Sequence, residues 1–312
     1  SYSYTTIIEV NMGNSLRENF GPLFKELMSL SQAAAKIDES KVYEEANPKT
    51  RHYMDLLLSQ IMKPDSGLKG VENFKAFYDS VVNEGKSGLI LMEHYTNVDL
   101  PGIIALLDKH GEDWSKDFAT RIVAVAGMKL NEENPAVRAF AESFTRVVIY
   151  PTRSLDAVNA KEISEEEKIE EEKRARKINF AAMRAMDACK KRGQIILVFP
   201  SGTRYRPGKP ETKKGLREID SYLRLFDNLL LVSVNGNCLR IDPENPNDML
   251  ADIIVQDTMT LTAHPVIECK KFRQDILDSL PADEPDPKQK TVDRCMEILQ
   301  EMHDAEEKNR AN

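Results

Sequence analysis

The stretch SGLILMEHYTNVDLPGIIALL, residues 87–107, joins two apolar runs through a short polar turn. The first run, Leu89 to Met92, is continuously apolar, as is typical of a strand buried on both faces of a sheet. The turn contains His94 and Asp99, five positions apart. On a helix this spacing separates two side chains by about 140°, and on a strand it places them on opposite faces. The two residues can therefore meet only across a turn.

The second apolar run has the features of a helix start. Asp99 precedes Leu100 and Pro101, and proline is tolerated in the first turn of a helix because its missing N–H would have no partner there. The stretch thus predicts a strand, a turn and a helix, with His94 at the carboxyl end of the strand and Asp99 at the start of the helix. In open α/β sheets, ligands bind at that edge.

The same alternation continues along the chain after Gly85. Short apolar runs bounded by Gly or Pro alternate with helical patterns, which predicts an α/β fold with a mostly parallel mixed sheet flanked by helices. Two more strands are expected near residues 252–256 and 265–270, and a final helix near 286–307. The apolar runs are GLILME (88–93), RIVAVAG (121–127), RVVIYPT (146–152), QIILVFP (194–200) and LLLVSVNG (229–236).

The N-terminal part differs from the rest because it reads as helices in series. In residues 14–30 the apolar side chains recur at helical spacing, and Asn14 or Ser15 is a plausible N-cap. We therefore predict two domains, a smaller N-terminal helical bundle over residues 1–75 and an α/β domain over residues 76–312.

Charge and cysteine content exclude some classes of protein. The net charge of −8 argues against a nucleic-acid partner, because non-specific nucleic-acid binding needs a basic surface. The four cysteines form no CxxC pair, which predicts buried free thiols rather than a zinc site or a disulfide framework. No apolar run reaches the length of a transmembrane helix.

The His94–Asp99 pair has a chemical interpretation and a simpler one. A carboxylate that accepts the Nδ1–H of a histidine fixes its tautomer and leaves Nε2 as a general base. Without a neighbouring serine or cysteine, such a base can activate a hydroxyl of the substrate. In the simpler interpretation, Asp99 only caps its helix and His94 is a satisfied core residue.

A second polar turn, FPSGTRYRPG, begins at Phe199 and follows the run QIILVFP. Arg204 and Arg206 can converge on one anion, because guanidinium groups bind phosphate in a bidentate manner. Gly202 lets the backbone approach a ligand closely. The alternative is a solvated loop with ordinary arginines. The position of both polar turns after apolar strands of one sheet favours a shared site.

Three other side chains complete this predicted phosphate site. Ser201 and Thr203 can hydrogen-bond the phosphate or support the loop. Arg153 follows another apolar strand in a polar turn and adds a third cation at the same edge of the sheet.

Together, these residues resemble the glycerolipid acyltransferase family. HYTNVD, from His94 to Asp99, matches its His-x4-Asp block, and FPSGTR resembles its Phe-Pro-Glu-Gly-Thr-Arg block, with Ser201 in place of Glu. The Ser201 position and the following Arg-x-Arg-Pro are more similar to the soluble, plastid-type glycerol-3-phosphate 1-acyltransferases. AGMKL (126–130) and LLLVSVNGNCLRI (229–241) resemble two further blocks. The resemblance covers about residues 87–241.

The resemblance implies transfer of a fatty acyl group to the sn-1 hydroxyl of glycerol 3-phosphate, the first step of phospholipid synthesis. His94 would act as the base and Asp99 would orient it, while Arg204, Arg206 and Arg153 would bind the phosphate. The acyl donor would be an acyl-carrier protein (acyl-ACP) or coenzyme A (acyl-CoA) thioester, with no metal or other cofactor. Plastid enzymes carry Lys-His where this chain has Arg153-Ser154, which leaves the acceptor open.

Partners, location and rival functions follow from the same resemblance. We expect a soluble enzyme of the cytoplasm or plastid stroma, with peripheral contact to a membrane as a further partner. An acidic carrier protein would dock on Lys213, Lys214 and Arg217. The nearest rival is a 1-acylglycerol-3-phosphate acyltransferase. A rival of another class is a non-catalytic phosphoester- or lipid-binding protein.

Overall fold

The computed structural model describes residues 10–132 and 134–311. This part of the chain contains twelve α-helices and eleven strands, together with two short 3₁₀ turns at Pro210–Lys213 and Met249–Ala251. In chain order the helices and strands are α1 (Leu16–Leu30), β1 (Tyr43–Glu44), α2 (Pro48–Ile61), β2 (Gly67–Lys69), α3 (Val71–Val82), β3 (Gly88–Met92), α4 (Asp99–His110), α5 (Asp113–Arg121), β4 (Ile122–Gly127), α6 (Lys129–Glu132), α7 (Pro135–Ala141), β5 (Arg146–Ile149), α8 (Thr152–Asn159), α9 (Glu165–Lys191), β6 (Ile195–Val198), α10 (Ile219–Leu225), β7 (Asn228–Asn235), β8 (Leu239–Arg240), β9 (Ile253–Ile254), β10 (Thr260–Ala263), β11 (Ile267–Glu268), α11 (Cys269–Ser279) and α12 (Pro287–Ala311).

A single mixed sheet organises the molecule. Within the described residues, nine strands belong to it, in the order β1-β5-β4-β6-β3-β7-β10-β2, and β11 also pairs with β7. The central strands β5, β4, β6, β3 and β7 are parallel to one another. Strand β1 runs antiparallel to β5, β10 and β11 run antiparallel to β7, and β2 is parallel to β10. This confirms the predicted α/β fold with a mostly parallel mixed sheet flanked by helices.

The central strand β3 shows why continuous apolar runs predicted this architecture. Ile90 and Met92 face a core shared with α1 to α4, whereas Leu89 and Leu91 face a second core shared with α9, α10 and α12. All four side chains have no exposed surface. A strand covered by helices on both sides cannot alternate apolar and polar residues, and this one does not.

The N-terminal helices begin at local capping signals. Ser15 caps α1 through a reciprocal capping box with Glu18. Pro48 occupies the first turn of α2 behind the cap residue Asn47. Helices α1 to α3 pack on the same core as the sheet, and β1 and β2 pair with strands of the sheet. The domain boundary between residues 75 and 76 stays a prediction.

The C-terminal third departs from the expected pattern. The strand expected at 252–256 is the two-residue β9, which pairs with β8 in a separate small sheet and forms a single bridge from Ile253 to Ser15. The strand expected at 265–270 is reduced to β11, because α11 begins at Cys269. Short apolar runs do not distinguish a strand from the first turn of a helix. The cysteines Cys189, Cys238, Cys269 and Cys295 are buried free thiols, as predicted.

Candidate active site

His94 and Asp99 are in direct contact across the turn between β3 and α4. The distance from His94 Nδ1 to Asp99 Oδ2 is 3.0 Å. The same carboxylate oxygen accepts hydrogen bonds from the backbone N–H groups of Tyr95, at 2.6 Å, and Thr96, at 2.9 Å. Asp99 has no exposed surface. These contacts favour the tautomer in which Nδ1–H donates to Asp99 and Nε2 is left as an acceptor.

A second set of contacts fixes the His94 ring from the neighbouring strand. The ring of Phe199 stacks on it, with the ring centroids 3.9 Å apart and the planes inclined by 18°. The backbone N–H of Tyr205 donates to the His94 carbonyl at 2.7 Å. Strands β3 and β6 are adjacent and parallel, so the turns that follow them meet at one edge of the sheet. This juxtaposition was predicted from the sequence.

A small pocket of about 100 Å³ opens beside His94. Its walls come from the turn after β3, the loop after β6 and the C-terminal helix α12, which contributes Met296 and Gln300. Of the predicted site residues, His94 and Ser201 line it. The other lining residues are Glu93, Tyr95, Tyr205, Thr212, Lys213, Met296 and Gln300.

Arg204 is buried in an ion pair. Its Nη1 donates to Asp252 Oδ2 at 2.6 Å, and both side chains are almost fully buried. Asn97, in the His94 turn, donates to the same oxygen at 3.2 Å. Burial raises the pKa of Asp252, and the hydrogen bond and charge of Arg204 oppose this rise. The pair therefore connects the loop after β6 to the turn that carries His94.

The two other predicted phosphate ligands, Arg206 and Arg153, do not line the pocket beside His94. Arg206 Nη1 donates to the carbonyl of Pro246, at 3.0 Å, and to Asn247 Oδ1, at 2.9 Å. Arg153 is exposed in the first turn of α8, although a turn was expected there. Because β5 lies three strands from β3, Arg153 begins about 14 Å away at the usual strand spacing. Arg204 and Arg206 each have a protein partner in this structure, and the binding of one phosphate by the three arginines stays a prediction.

The Ser-Gly-Thr segment shapes the loop. Ser201 Oγ donates to the Thr203 carbonyl at 2.7 Å. Gly202 has a φ of +69°, and a Cβ atom at this position would lie 2.5 Å from Leu216 Cδ1. Glycine is therefore required here both by its backbone conformation and by its close neighbour. In this structure Ser201 and Thr203 support the loop.

Comparison with known proteins places this site in a family. The family model described as acyltransferase matches residues 68–223, which is half of the chain. The chain belongs to the acyltransferase family. Membership makes it an enzyme that transfers acyl groups in lipid synthesis, with an acyl donor and a lipid acceptor as substrates. A search of curated proteins gave no match.

Helix α12 contributes a wall of the pocket that the sequence does not reveal. Helix α12 lies outside the matched residues 68–223, yet His303 on it stacks on Tyr95 with ring centroids 4.8 Å apart. Tyr95 OH donates to Glu93 Oε2 at 2.7 Å. Burial, followed by the charge of Glu93, raises the pKa of Tyr95, so the phenol stays protonated. No local pattern signals the contact between His303 and Tyr95, because the two residues lie about 200 positions apart.

The three residues predicted to dock a carrier protein differ in exposure, and this role stays a prediction. Lys213 is half-buried in the pocket beside His94, whereas Lys214 and Arg217 are exposed. Arg217 forms an ion pair with Asp286 at 2.9 Å. Within the described residues, no helix is both long and apolar enough to cross a membrane.

Proposed function

We propose that this acyltransferase moves a fatty acyl group from an acyl-ACP or acyl-CoA thioester to the sn-1 hydroxyl of glycerol 3-phosphate. The observation that carries the proposal is the His94–Asp99 contact of 3.0 Å at the edge of a pocket. A base held in this way can take a proton from a substrate hydroxyl and needs no nucleophile from the protein.

The geometry supports a specific course for the reaction. His94 Nε2 accepts the proton of the acceptor hydroxyl as that oxygen attacks the thioester carbonyl. Asp99 stabilises the imidazolium, and its three hydrogen bonds keep the carboxylate in place during the proton transfer. The tetrahedral intermediate then collapses, and the imidazolium protonates the departing thiolate. The proton thus moves from acceptor to leaving group through a single histidine.

The test supplies the purified protein with each acyl thioester and either glycerol 3-phosphate or 1-acylglycerol 3-phosphate. We expect release of free thiol with glycerol 3-phosphate. We expect His94→Ala to lower kcat by at least about 100-fold, since general-base catalysis contributes 10²–10⁴. His264→Ala is the matched control, because His264 follows β10, two strands from β3, and does not line the pocket. The activity of this variant should equal that of wild type.

Two outcomes would contradict the proposal. Turnover of the lysolipid alone would assign the protein to the second acylation step. Failure to release thiol with any glycerolipid acceptor would contradict acyl transfer to this class of substrate. Contact with a membrane surface stays a prediction.

A further inference from the structure

The lining of the pocket beside His94 includes a lysine, Lys213. Lys213 Nζ lies 4.6 Å from the ring centroid of Tyr205 and 5.1 Å from that of Tyr95, so the ammonium group sits between two aromatic rings. Its hydrogen-bond partner is the neutral side chain of Gln300, at 3.2 Å. Cation–π contacts hold the ammonium in place without neutralising its charge.

This positive charge has no counter-ion in the described part of the chain. The acidic residue in the lining of this pocket, Glu93, already accepts hydrogen bonds from other groups. Tyr95 OH donates to it at 2.7 Å, and the backbone N–H of Val234 donates at 3.0 Å. Its Oε1 also lies 3.3 Å from His303 Nδ1. Since half-buried charges in proteins are normally paired, an unpaired one that faces a pocket indicates a charged ligand.

Arg204 offers a contrast at the same site. Its Nη1 is paired with Asp252 at 2.6 Å, and both side chains are almost fully buried. The carboxylate already neutralises this guanidinium, and breaking the buried pair to free it for a phosphate would leave an uncompensated charge. Lys213 carries no such cost, because its present partner is an amide.

The size and polarity of the pocket fit a phosphate group. Its volume is about 100 Å³, and its lining includes the polar side chains of Tyr205, Thr212 and Lys213. An ammonium on a flexible stem binds phosphate as a point charge. The hydroxyl of Tyr205, which has no hydrogen-bond partner among the described residues, is a second donor in the same pocket.

We propose that Lys213 binds the phosphate of the acceptor substrate beside His94, while Arg204 holds the loop that forms the pocket. This inference rests on the proposed function, because it assigns the phosphate of the acceptor to a position within the same site. It assigns Lys213 to the binding of phosphate, a role that the exposed Lys214 and Arg217 do not share.

The experiment combines a binding measurement with kinetics on the full chain. Calorimetry gives the affinity of wild type, Lys213→Met, Lys213→Gln and Lys214→Met for inorganic phosphate and for glycerol 3-phosphate. Lys214→Met removes the same charge from an exposed neighbour and is the matched control. Lys213→Gln keeps a polar group beside Gln300 and serves if the methionine variant folds poorly.

We expect both Lys213 variants to weaken phosphate binding by at least about tenfold, since a charge-assisted hydrogen bond is lost. KM for glycerol 3-phosphate should rise by a similar factor, with a smaller change in kcat. With an acyl-CoA thioester as the donor, which involves no carrier protein, Lys214→Met should bind phosphate and react as wild type does.

The possible failures are distinguishable. Equal phosphate affinity in wild type and the Lys213 variants would overturn this inference even if the enzyme were active. An equal loss in Lys213→Met and Lys214→Met would also overturn it, as a general charge effect. Phosphate binding that depends on Lys213, in a protein that transfers no acyl group, would support the binding site and reject the proposed function.

Discussion

At the residue scale, Gly202 gives a test of how the loop after β6 is shaped. An alanine there would adopt a φ of +69° and place its Cβ 2.5 Å from Leu216 Cδ1. The left-handed conformation alone costs about 1–2 kcal/mol. Gly208, in the same loop, has a φ of +80° but no atom within 4 Å of a Cβ. The two glycines therefore separate backbone strain from steric conflict.

We expect Gly202→Ala to lower the free energy of unfolding by more than Gly208→Ala, which should cost about 1 kcal/mol. Displacement of Leu216 should also move Ser201 in the pocket wall, so that acyl transfer falls in Gly202→Ala and persists in Gly208→Ala. Urea unfolding and the thioester assay measure the two effects. Equal losses of stability would show that Leu216 yields without cost.

The residue scale also shows how far the sequence predicts the site. The contact between His94 and Asp99 was predictable, because both lie in one turn whose strand and helix are marked by local patterns. The ion pair of Arg204 was not, because Asp252 lies 48 positions away and no local pattern indicates which residue it contacts. The position of Lys213 between two aromatic rings likewise depends on tertiary packing.

At the element scale, His303 attaches helix α12 to the sheet. Its Nδ1–H donates to the Val234 carbonyl of β7 at 2.8 Å, and Glu93 Oε1 lies 3.3 Å from the same nitrogen. Burial alone lowers the pKa of His303, as does the charge of Lys213. The hydrogen bond and charge of Glu93 outweigh these effects, so the pKa is raised above its ordinary value of 6.5.

A raised pKa in the folded state means that folding favours the protonated ring. The stabilisation is complete below pH 6.5 and is lost as the pH rises through the higher pKa of the folded protein. We therefore expect His303→Gln to be less stable than wild type at about pH 5.5, with the difference narrowing toward about pH 8.5. Urea unfolding across this range measures it. His264→Gln is the control substitution, and a difference independent of pH would contradict the assignment.

The strands differ in how far their own sequence determines their conformation. Strands β3 to β7 were predictable because each is a continuous apolar run between two cores. Strands β1 and β2 were not, because they have two and three residues and are only partly buried. Their strand conformation comes from pairing with β5 and β10, and these partners are distant in sequence.

At the scale of the whole molecule, the N-terminal helices and the sheet share one apolar core. Leu23 of α1 and Leu230 of β7 belong to the same cluster, and neither has any exposed surface. Asp252 strengthens this union, since its carbonyl accepts the backbone N–H of Leu16 at 2.7 Å while its carboxylate binds Arg204. A mutation in the N-terminal helices should therefore reach the rest of the fold.

The single tryptophan makes that expectation measurable. Trp114 lies in α5, within the predicted second domain, whereas Leu23 lies within the predicted first. If residues 1–75 and 76–312 unfold as one cooperative unit, Leu23→Ala should lower the stability reported by Trp114 fluorescence by about 2–5 kcal/mol, the usual cost of a buried leucine cavity. Met28→Ala, on the same helix at a side chain 40% exposed, should shift it by less than about 1 kcal/mol. The contrary result has two parts: Leu23→Ala leaves the unfolding transition of Trp114 fluorescence unchanged, and circular dichroism shows a separate transition at lower denaturant. Together they would show that the N-terminal helices unfold independently, because only uncoupled units lose their structure separately.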